Sequence, residues 1–338
     1  MDELQGSKIN QLFQEASTAI AKENYLTAEE KYHQLSKIVR HCYSLATNNE
    51  DRMEYLSLCK EYENKEMYAK RKKEEKMDPY VLRTIVSFDD YIGDKEKEYL
   101  YQDIVKPWND GHFHDRKKNG LLIYGPYETG KTILVKALAK EVKATLFPIK
   151  ALTDFSNDDY PDAINAVDKI VMCAFKEDRA IIFFDDPVCY FPKGDKDSLS
   201  YETAKLFSDY FKMKVRQIRR KKKEIFFIAS TNCPDKLSHL MLNDDLFNDY
   251  LRIDLPDDKT RDELIKVYLP NIADEVKSYF VSATIGYTSW QITEFCLELM
   301  KKEGMISIEN VKNLIASVIK EYDDGYFEHL AEFEKEYR

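Results

Sequence analysis

The sequence predicts a parallel α/β domain that follows an all-helical segment and precedes a small helical domain. From about residue 86 to residue 258, short apolar segments alternate with helical patterns, as in a parallel sheet with helices on its faces. Apolar residues recur at helical spacing before this region, and the strand signals stop after it. We therefore expect a three-helix bundle at 1–75, a linker at 76–85, a large α/β domain at 86–258 and a small helical lid domain at 259–338.

The N-terminal bundle is predicted from a stretch that lacks proline and has one glycine, Gly6. Three runs of apolar residues have the spacing of amphipathic helices. The runs are Ile9, Leu12, Phe13, Ala16 and Ile20, then Ala28, Tyr32, Leu35, Val39 and Cys42, then Tyr55, Leu58 and Tyr62. Breaks in the pattern near residues 23–24 and 47–51 predict that the three helices pack as an antiparallel bundle. The charged stretch Lys70–Lys76 is expected to be a solvated linker.

Five apolar segments are expected to form the sheet of the α/β domain. They are Leu121–Tyr124, Ala144–Pro148, Ala180–Asp185, Ile225–Ser230 and Leu251–Leu255. Near the C-terminus, one apolar stripe predicts a helix that packs back on the body of the protein. The stripe consists of Phe327, Leu330, Phe333 and Tyr337.

The composition is that of a globular protein with 43% apolar and 33% charged residues in 338. No apolar run approaches the roughly 20 residues of a membrane span, and the N-terminus lacks a signal-peptide pattern. The net charge of −10 argues against general nucleic-acid binding, and no nucleic-acid partner is expected. Six scattered cysteines without a C-x-x-C pair predict reduced thiols and a cytoplasmic location.

The segment Leu121–Lys140 contains a complete phosphate-binding loop between a predicted strand and a predicted helix. In the pattern G-x-x-x-x-G-K-[ST], backbone N–H groups surround a phosphate at a helix N-terminus, the lysine reaches the outer phosphates, and the hydroxyl binds Mg²⁺. The candidate nucleotide-binding residues are therefore Gly125, Pro126, Tyr127, Glu128, Thr129, Gly130, Lys131 and Thr132. ATP and Mg²⁺ are the expected cofactors.

Nucleotide hydrolysis also needs a carboxylate near the metal, a base for the attacking water and a polar group near the γ-phosphate. The predicted strand that begins at Ala180 ends in two acids. We assign Asp185, with Thr132, to the metal site and Asp186 to the base. The next predicted strand leads to Asn232, which we assign to orienting the water.

These motifs, in this order, resemble the AAA ATPases of the clade that contains katanin, spastin, fidgetin and the vacuolar sorting ATPase that disassembles ESCRT filaments. The resemblance covers residues 86–338. It rests on Phe88–Gly93, Gly120–Thr132, Ala229–Asn232, Leu251–Pro256, Gly286–Ile292 and the C-terminal docking region Ile306–Arg338. It implies that the backbone of Ile92 and Gly93 lies near adenine.

Residues 9–70 resemble a microtubule-interacting and transport (MIT) domain, the three-helix module with which these ATPases bind the tails of partner proteins. The likeness is carried by Asn24, Tyr25, Tyr32, Glu61 and Tyr62. It implies protein tails of the ESCRT type as partners, assembly into a ring with itself or with an AAA paralogue, and, as a further option, peripheral association with endosomal membranes.

The chain departs from this clade at positions that serve catalysis. Glu128 replaces a glycine of the phosphate loop, and a carboxylate near the phosphates repels them. Asp186 replaces the glutamate of the family, which withdraws the carboxylate by roughly an ångström, a misplacement that can cost about a hundredfold in rate. The two arginine-finger positions correspond to Asp245 and Leu246. Arginine fingers are worth about 10³–10⁵ in rate, so the resemblance implies weak or partner-dependent hydrolysis.

Two charged segments also bear on function. The region that corresponds to the substrate pore of the family is Asn157–Asp162, in which Tyr160 is the candidate gripping aromatic among three acids. Such an acidic loop would repel the acidic tails of tubulin. The basic run Lys212–Lys223 is either a solvated helix face or a surface for an acidic partner or an anionic lipid.

The leading hypothesis is thus an ATP-binding AAA protein of ESCRT-type membrane remodelling or complex disassembly. One alternative is a catalytically degenerate scaffold subunit of a ring that contains active subunits. A second alternative is a katanin-like microtubule-severing ATPase, against which the acidic segment Asn157–Asp162 argues.

Overall fold

The structure is a computed structural model that describes residues 3–22, 24–46, 49–76, 81–82, 84–115, 118, 120–149, 160–242, 246–301 and 305–337. These residues form a helical N-terminal region, a parallel α/β region and a helical C-terminal region. No helix among them is both long enough and apolar enough to span a membrane.

The N-terminal region consists of helices α1 (Glu3–Ala21), α2 (Tyr25–Leu45) and α3 (Asn49–Lys76). The apolar residues that predicted these helices share one core, with Ala16, Leu35 and Val39 fully buried. The expected three-helix arrangement is therefore confirmed. The stretch Lys70–Lys76 differs from the expectation, because α3 continues through it. Lysine, arginine and glutamate are good helix formers, so a charged run need not end a helix.

The α/β region contains one parallel sheet in the order β2-β3-β4-β1-β5. Its strands are β1 (Gly120–Tyr124), β2 (Thr145–Ile149), β3 (Arg179–Asp185), β4 (Glu224–Thr231) and β5 (Asp249–Arg252). The sheet and its five strands are as expected, except that β5 begins and ends earlier than predicted. The N–H of Ile253 still donates to the carbonyl of Tyr124 at 2.8 Å, so pairing continues one residue beyond the strand.

Helices cover both faces of the sheet. They are α4 (Asp94–Leu100), which continues through a π-helical turn (Tyr101–Val105) into α5 (Lys106–Asn109), then α6 (Lys131–Glu141), α7 (Tyr160–Ala174) and α8 (Leu199–Arg220). Along β1, Leu121 and Ile123 pack into one core, whereas Leu122 and Tyr124 pack into the other. Because both faces are buried, the strands are continuously apolar rather than alternating.

The C-terminal region begins with α9 (Asp258–Tyr268), α10 (Asp274–Ala283), α11 (Ser289–Met300) and α12 (Ile308–Ile315), which enclose a core of their own. The last helix, α13 (Asp324–Tyr337), returns to the sheet as predicted. Its residues Leu330 and Phe333 belong to the core of the α/β region, and the Phe333 ring meets the Tyr124 ring edge-on at 5.2 Å.

The helical bundle contacts both of the other regions. The Tyr43 hydroxyl donates to the carbonyl of Met300 in α11 at 2.9 Å. Lys140 of α6 pairs with Glu30 of α2 at 3.2 Å. On the same face of α2, His33 and Lys37 contact Asp90. These contacts fix the bundle against the segment that leads into Ile92 and Gly93.

Candidate functional site

The carboxyl ends of β1, β3 and β4 meet at one edge of the sheet, where the loop from Gly125 to Gly130 joins β1 to α6. Gly125 has φ 139°, and a Cβ added there would lie 1.9 Å from the carbonyl oxygen of Ile253. Gly130 has φ 91° immediately before the first residue of α6. The two glycines are therefore required by backbone geometry, and the loop opens onto a helix N-terminus, which is favourable for anions.

Lys131 is buried at the start of α6, and its Nζ donates to the carbonyl oxygens of Gly125, at 2.9 Å, and Pro126. Burial lowers the pKa of Lys131 to about 8, although Asp185 and Asp186 oppose the shift. Among the described residues, the hydrogen-bond partners of the ammonium group are thus these two loop carbonyls. An oligophosphate in the loop would give this lysine a charge-assisted hydrogen bond in place of its bonds to neutral carbonyls.

Oxygen atoms suited to a divalent cation lie beside the loop. Oδ1 of Asp185 accepts hydrogen bonds from Thr132 Oγ1 at 3.5 Å and from Ser230 Oγ at 3.1 Å. In the described part of the chain, no cluster of three or more His, Cys, Asp or Glu side chains is suited to metal binding. A Mg²⁺ ion at Thr132 and Asp185 fits these donors, because Mg²⁺ takes one or two protein oxygens together with phosphates and waters.

Asp186 follows β3 in a left-handed conformation with φ 58°. Its N–H donates to the Ser230 carbonyl at 2.9 Å, and its carboxylate accepts from Thr231 Oγ1 at 3.1 Å. Asn232 lies just beyond β4, and its carbonyl accepts from the Tyr326 hydroxyl at 2.9 Å. The two candidate catalytic residues are thus held at the same sheet edge as the phosphate loop.

Glu128 does not point into the loop. It has φ 59°, and its carboxylate accepts a hydrogen bond from Thr288 Oγ1 at 3.3 Å, while its carbonyl accepts from the Trp290 N–H at 3.3 Å. Thr288 caps the N-terminus of α11. Burial and the nearby Glu321 raise the pKa of Glu128, while the hydrogen bond from Thr288 opposes the shift. The residue that replaces a glycine in the loop therefore ties the loop to the C-terminal helical region.

Ile92 and Gly93 lie between the phosphate loop and the C-terminal helices. Gly93 has φ 154°, and Ile92 packs against the core formed by α9–α12. The preceding Tyr91 is buried, and its ring lies against Gly130, where an added Cβ would be 3.0 Å away. The structure thus places Tyr91, the residue before these two candidates, next to the loop.

Comparison with known proteins identifies this region. Residues 121–255 match the sequence model of the ATPase family associated with various cellular activities (AAA). They form an AAA domain. The AAA domain contains the phosphate loop, Asp185 at the end of β3, and Asp186 and Asn232.

Three curated relatives match parts of the chain. A Plasmodium falciparum protein named as a cell division cycle ATPase is 31% identical over 229 residues, which are 62% of this chain and 18% of the relative. The cell division cycle protein 48 homologue of Archaeoglobus fulgidus is 28% identical over 199 residues, 57% of this chain and 26% of the relative. An AAA domain-containing protein of Schizosaccharomyces pombe is 31% identical over 147 residues, which are 44% of this chain and 18% of the relative. The chain thus spans about a fifth to a quarter of the length of these relatives.

Solved structures share the fold. The FIGL-1 AAA domain superimposes with a TM-score of 0.62 at 18% identity, covering 76% of this chain and 91% of that one. The same domain in complex with ADP superimposes with a TM-score of 0.59 at 19% identity, covering 75% of this chain and 91% of that one. At this level of identity the likeness shows the fold of the AAA domain and its helical lid, which in this chain is formed by α9–α12.

The remaining candidate residues belong to the expected arginine-finger and pore positions. Leu246, at one expected arginine-finger position, is buried in the core of the AAA domain, and Asp245 lies outside the described residues. Of the acidic pore segment, residues 157–159 also lie outside the described residues. Tyr160 is the first residue of α7, and its role as a gripping aromatic stays a prediction.

Sequence reasoning missed the residues that link the C-terminal segment to the site. The Tyr322 hydroxyl accepts a hydrogen bond from the Tyr127 N–H of the phosphate loop at 2.6 Å. The Tyr326 hydroxyl donates to the carbonyl of Asn232, and the ring centroids of Tyr322 and Tyr326 lie 4.5 Å apart. In the sequence, Tyr322 and Tyr326 are four residues apart and precede most of the apolar stripe of α13. Nothing in the neighbouring sequence indicates which residues they contact.

Proposed function

We propose that this chain binds ATP with Mg²⁺ in its AAA domain and works as a ring subunit in the disassembly of protein complexes. The observation that carries the proposal is the convergence of Lys131, Thr132 and Asp185 on a loop whose glycines have the required torsions. In this proposal Lys131 binds the phosphates, Thr132 and Asp185 hold the metal, and Ile92 and Gly93 flank the adenine.

Hydrolysis by this chain is proposed to be weak or partner-dependent. Asp186 would act as the base and Asn232 would orient the water, but the base is one methylene shorter than glutamate. Leu246 is buried and carries no charge, so this position offers no cation to a neighbouring subunit. The site is therefore better equipped to bind a nucleotide than to turn it over.

The partners of the proposed function are assigned to the N-terminal helices. The three-helix bundle of residues 9–70 would bind tails of ESCRT-type proteins, and the ring would contain further copies or an AAA paralogue. A chain that acts on such assemblies would associate with endosomal membranes as a peripheral protein. The support for this part is the bundle architecture and its MIT-like sequence.

ATP turnover measured over a wide range of protein concentration, beside Asp186→Asn, tests the enzymatic half of the proposal. We expect slow turnover that rises with concentration, because a ring has to assemble, and that vanishes in the variant. Binding of a fluorescent ATP analogue, beside Lys131→Ala, tests the binding half. Equal affinity in both proteins, or no affinity in either, would contradict it.

A scaffold subunit is the second candidate, and the burial of Leu246 favours it. In this function the AAA domain fills a position in a ring whose other subunits hydrolyse ATP. Nucleotide binding without turnover at any concentration, together with stimulation of an active paralogue, would support it. Turnover that is abolished by Asp186→Asn would exclude it.

A further inference from the structure

Helix α2 of the bundle docks on the entry segment, the name we give to residues 84–93. The Lys37 ammonium contacts Oδ1 of Asp90, and Nε2 of His33 lies 3.6 Å from the same oxygen. Burial opposes the ionisation of Asp90, but its contacts with these two side chains outweigh burial and hold its pKa below the usual range. Neighbouring carboxylates raise the pKa of His33 to about 9, so its ring is charged at neutral pH. Two cations of the bundle therefore hold one anion of the entry segment.

A further ion pair joins the bundle to the helix that follows the phosphate loop. Lys140 of α6 pairs with Glu30 of α2 at 3.2 Å, and it donates to the carbonyl of Ile85 in the entry segment at 2.7 Å. The Phe88 N–H donates to the carboxylate of Glu141, also in α6, at 3.3 Å. The entry segment is therefore attached to α6 as well as to α2.

The second oxygen of the Asp90 carboxylate connects this contact to the nucleotide site. Oδ2 accepts from the N–H of Ser87 at 2.8 Å and from its hydroxyl at 3.0 Å, which closes the short turn that ends at Asp90. The ring of the next residue, Tyr91, lies against Gly130 of the phosphate loop. Ile92 then packs into the core of the lid. One carboxylate thus links the bundle to residues that contact both the phosphate loop and the lid.

The bundle also contacts the lid directly. The Tyr43 hydroxyl donates to the carbonyl of Met300, the last residue of α11, at 2.9 Å. At the other end of α11, the N-cap residue Thr288 donates to Glu128 of the phosphate loop. This lid helix is therefore bonded to the bundle at one end and to the phosphate loop at the other. The docked bundle thus contacts the entry segment, α6 and the lid, which together flank the nucleotide site.

We propose that docking of the bundle regulates the nucleotide site, so that a docked bundle strengthens nucleotide binding and its release weakens it. The inference rests on the proposed binding of ATP at this site. Elements that are already held in place lower the cost of ordering them when a ligand binds. Ion pairs between partly exposed groups contribute little and are weakened by salt, so docking of this kind is reversible. Because coupling between two sites is reciprocal, a bound nucleotide also strengthens docking.

A charge exchange on α2 tests the inference without changing the net charge. In Glu30→Lys/Lys37→Glu, each new side chain faces a like charge, on Lys140 and on Asp90 respectively, and the bundle should be released. The dissociation constant of a fluorescent ATP analogue should rise about fivefold or more, since coupling between sites commonly reaches this size. Circular dichroism checks that the helices of the variant remain folded.

A matched variant and a second measurement complete the test. Glu54→Lys/Lys60→Glu exchanges the same charges between two exposed residues of α3 and should bind the analogue as the wild type does. Hydrogen exchange in a peptide that covers residues 85–92, measured without nucleotide, reports docking by itself. Exchange should accelerate in Glu30→Lys/Lys37→Glu and stay unchanged in the matched variant.

The outcomes separate this inference from the proposed function. A wild type that binds no nucleotide would contradict the proposed function and the inference with it. A wild type that binds, together with accelerated exchange but unchanged affinity in Glu30→Lys/Lys37→Glu, would contradict the inference alone. Unchanged exchange in that variant, or equal loss of affinity in both double variants, would also overturn it.

Discussion

The carboxylate of Glu128 in the phosphate loop accepts a hydrogen bond from the hydroxyl of Thr288, the N-cap of the lid helix α11, at 3.3 Å. This contact joins two residues that are 160 positions apart. It turns an acid that would repel phosphates into a tether between the loop and the lid. We therefore expect nucleotide binding at this loop to depend on the position of the lid through Glu128.

Long-range repulsion between the Glu128 carboxylate and the phosphates remains even though the carboxylate is bonded to Thr288, so Glu128→Gly should strengthen nucleotide binding, by about tenfold if roughly 1.4 kcal/mol of repulsion is removed. Glycine adopts the left-handed backbone of this position, φ 59°, without strain. Titration of a fluorescent nucleotide measures the effect. Glu128→Gln, which keeps the side-chain length but not the charge, separates repulsion from tethering. Unchanged affinity in both variants would show that the carboxylate does not act on the nucleotide.

Nucleotide binding should be accompanied by proton uptake near pH 8. Burial lowers the pKa of Lys131 to about 8 without ligand, so the lysine is partly neutral there, and phosphate contacts would raise its pKa. The affinity should therefore be high below pH 8 and fall as the pH rises through the raised pKa of the complex. Calorimetry in buffers of different ionisation enthalpy counts the protons, and Lys131→Met should abolish the uptake.

The contact between the bundle and the segment that leads into Ile92 and Gly93 should weaken in alkaline solution. The carboxylates of Asp90 and Glu66 raise the pKa of His33 to about 9, while burial and Lys37 oppose the shift. The stabilisation from a raised histidine pKa is fully present below about pH 6.5 and is lost as the pH rises to about 9. The difference in Tm between wild type and His33→Gln should shrink over that range. The exposed His112→Gln serves as control, and a constant difference would contradict the assignment.

Tyr322→Phe should loosen the phosphate loop. The variant removes the acceptor of the Tyr127 N–H, and a hydrogen bond of this kind is worth about 0.5–1.5 kcal/mol. Hydrogen exchange in a peptide covering Tyr127 should accelerate by roughly two- to tenfold. Tyr326→Phe removes the neighbouring bond to Asn232 and should leave exchange at Tyr127 much less affected.

Asp186→Glu should raise ATP turnover if the short side chain limits hydrolysis. The added methylene moves the carboxylate forward by roughly an ångström, a distance that corresponds to as much as about a hundredfold in rate. Single-turnover measurements separate this step from ring assembly. A variant as slow as the wild type would place the limitation at the arginine-finger positions.

The sheet could be predicted from the sequence because each strand is buried on both faces and is apolar throughout. The bundle and α13 could be predicted because their apolar residues recur at helical spacing. A periodic apolar pattern, however, predicts a single helix or strand and not the distant elements that it contacts. The bonds of Glu128 to Thr288 and of Tyr127 to Tyr322 span 160 and 195 residues, and no local pattern encodes them. The continuation of α3 through Lys70–Lys76 differs from the expectation for another reason, because lysine, arginine and glutamate are good helix formers and a charged run need not end a helix.

The return of α13 to the sheet also affects synthesis of the protein. Leu330 and Phe333 fill the core beneath β1, although β5, the last strand, ends at Arg252. At translation rates of about 5–20 residues per second, roughly 4–16 s pass between the synthesis of Arg252 and that of Leu330. During this interval the nascent sheet exposes the apolar surface that α13 later covers. The growing chain should therefore be a substrate for chaperones until α13 emerges from the ribosome.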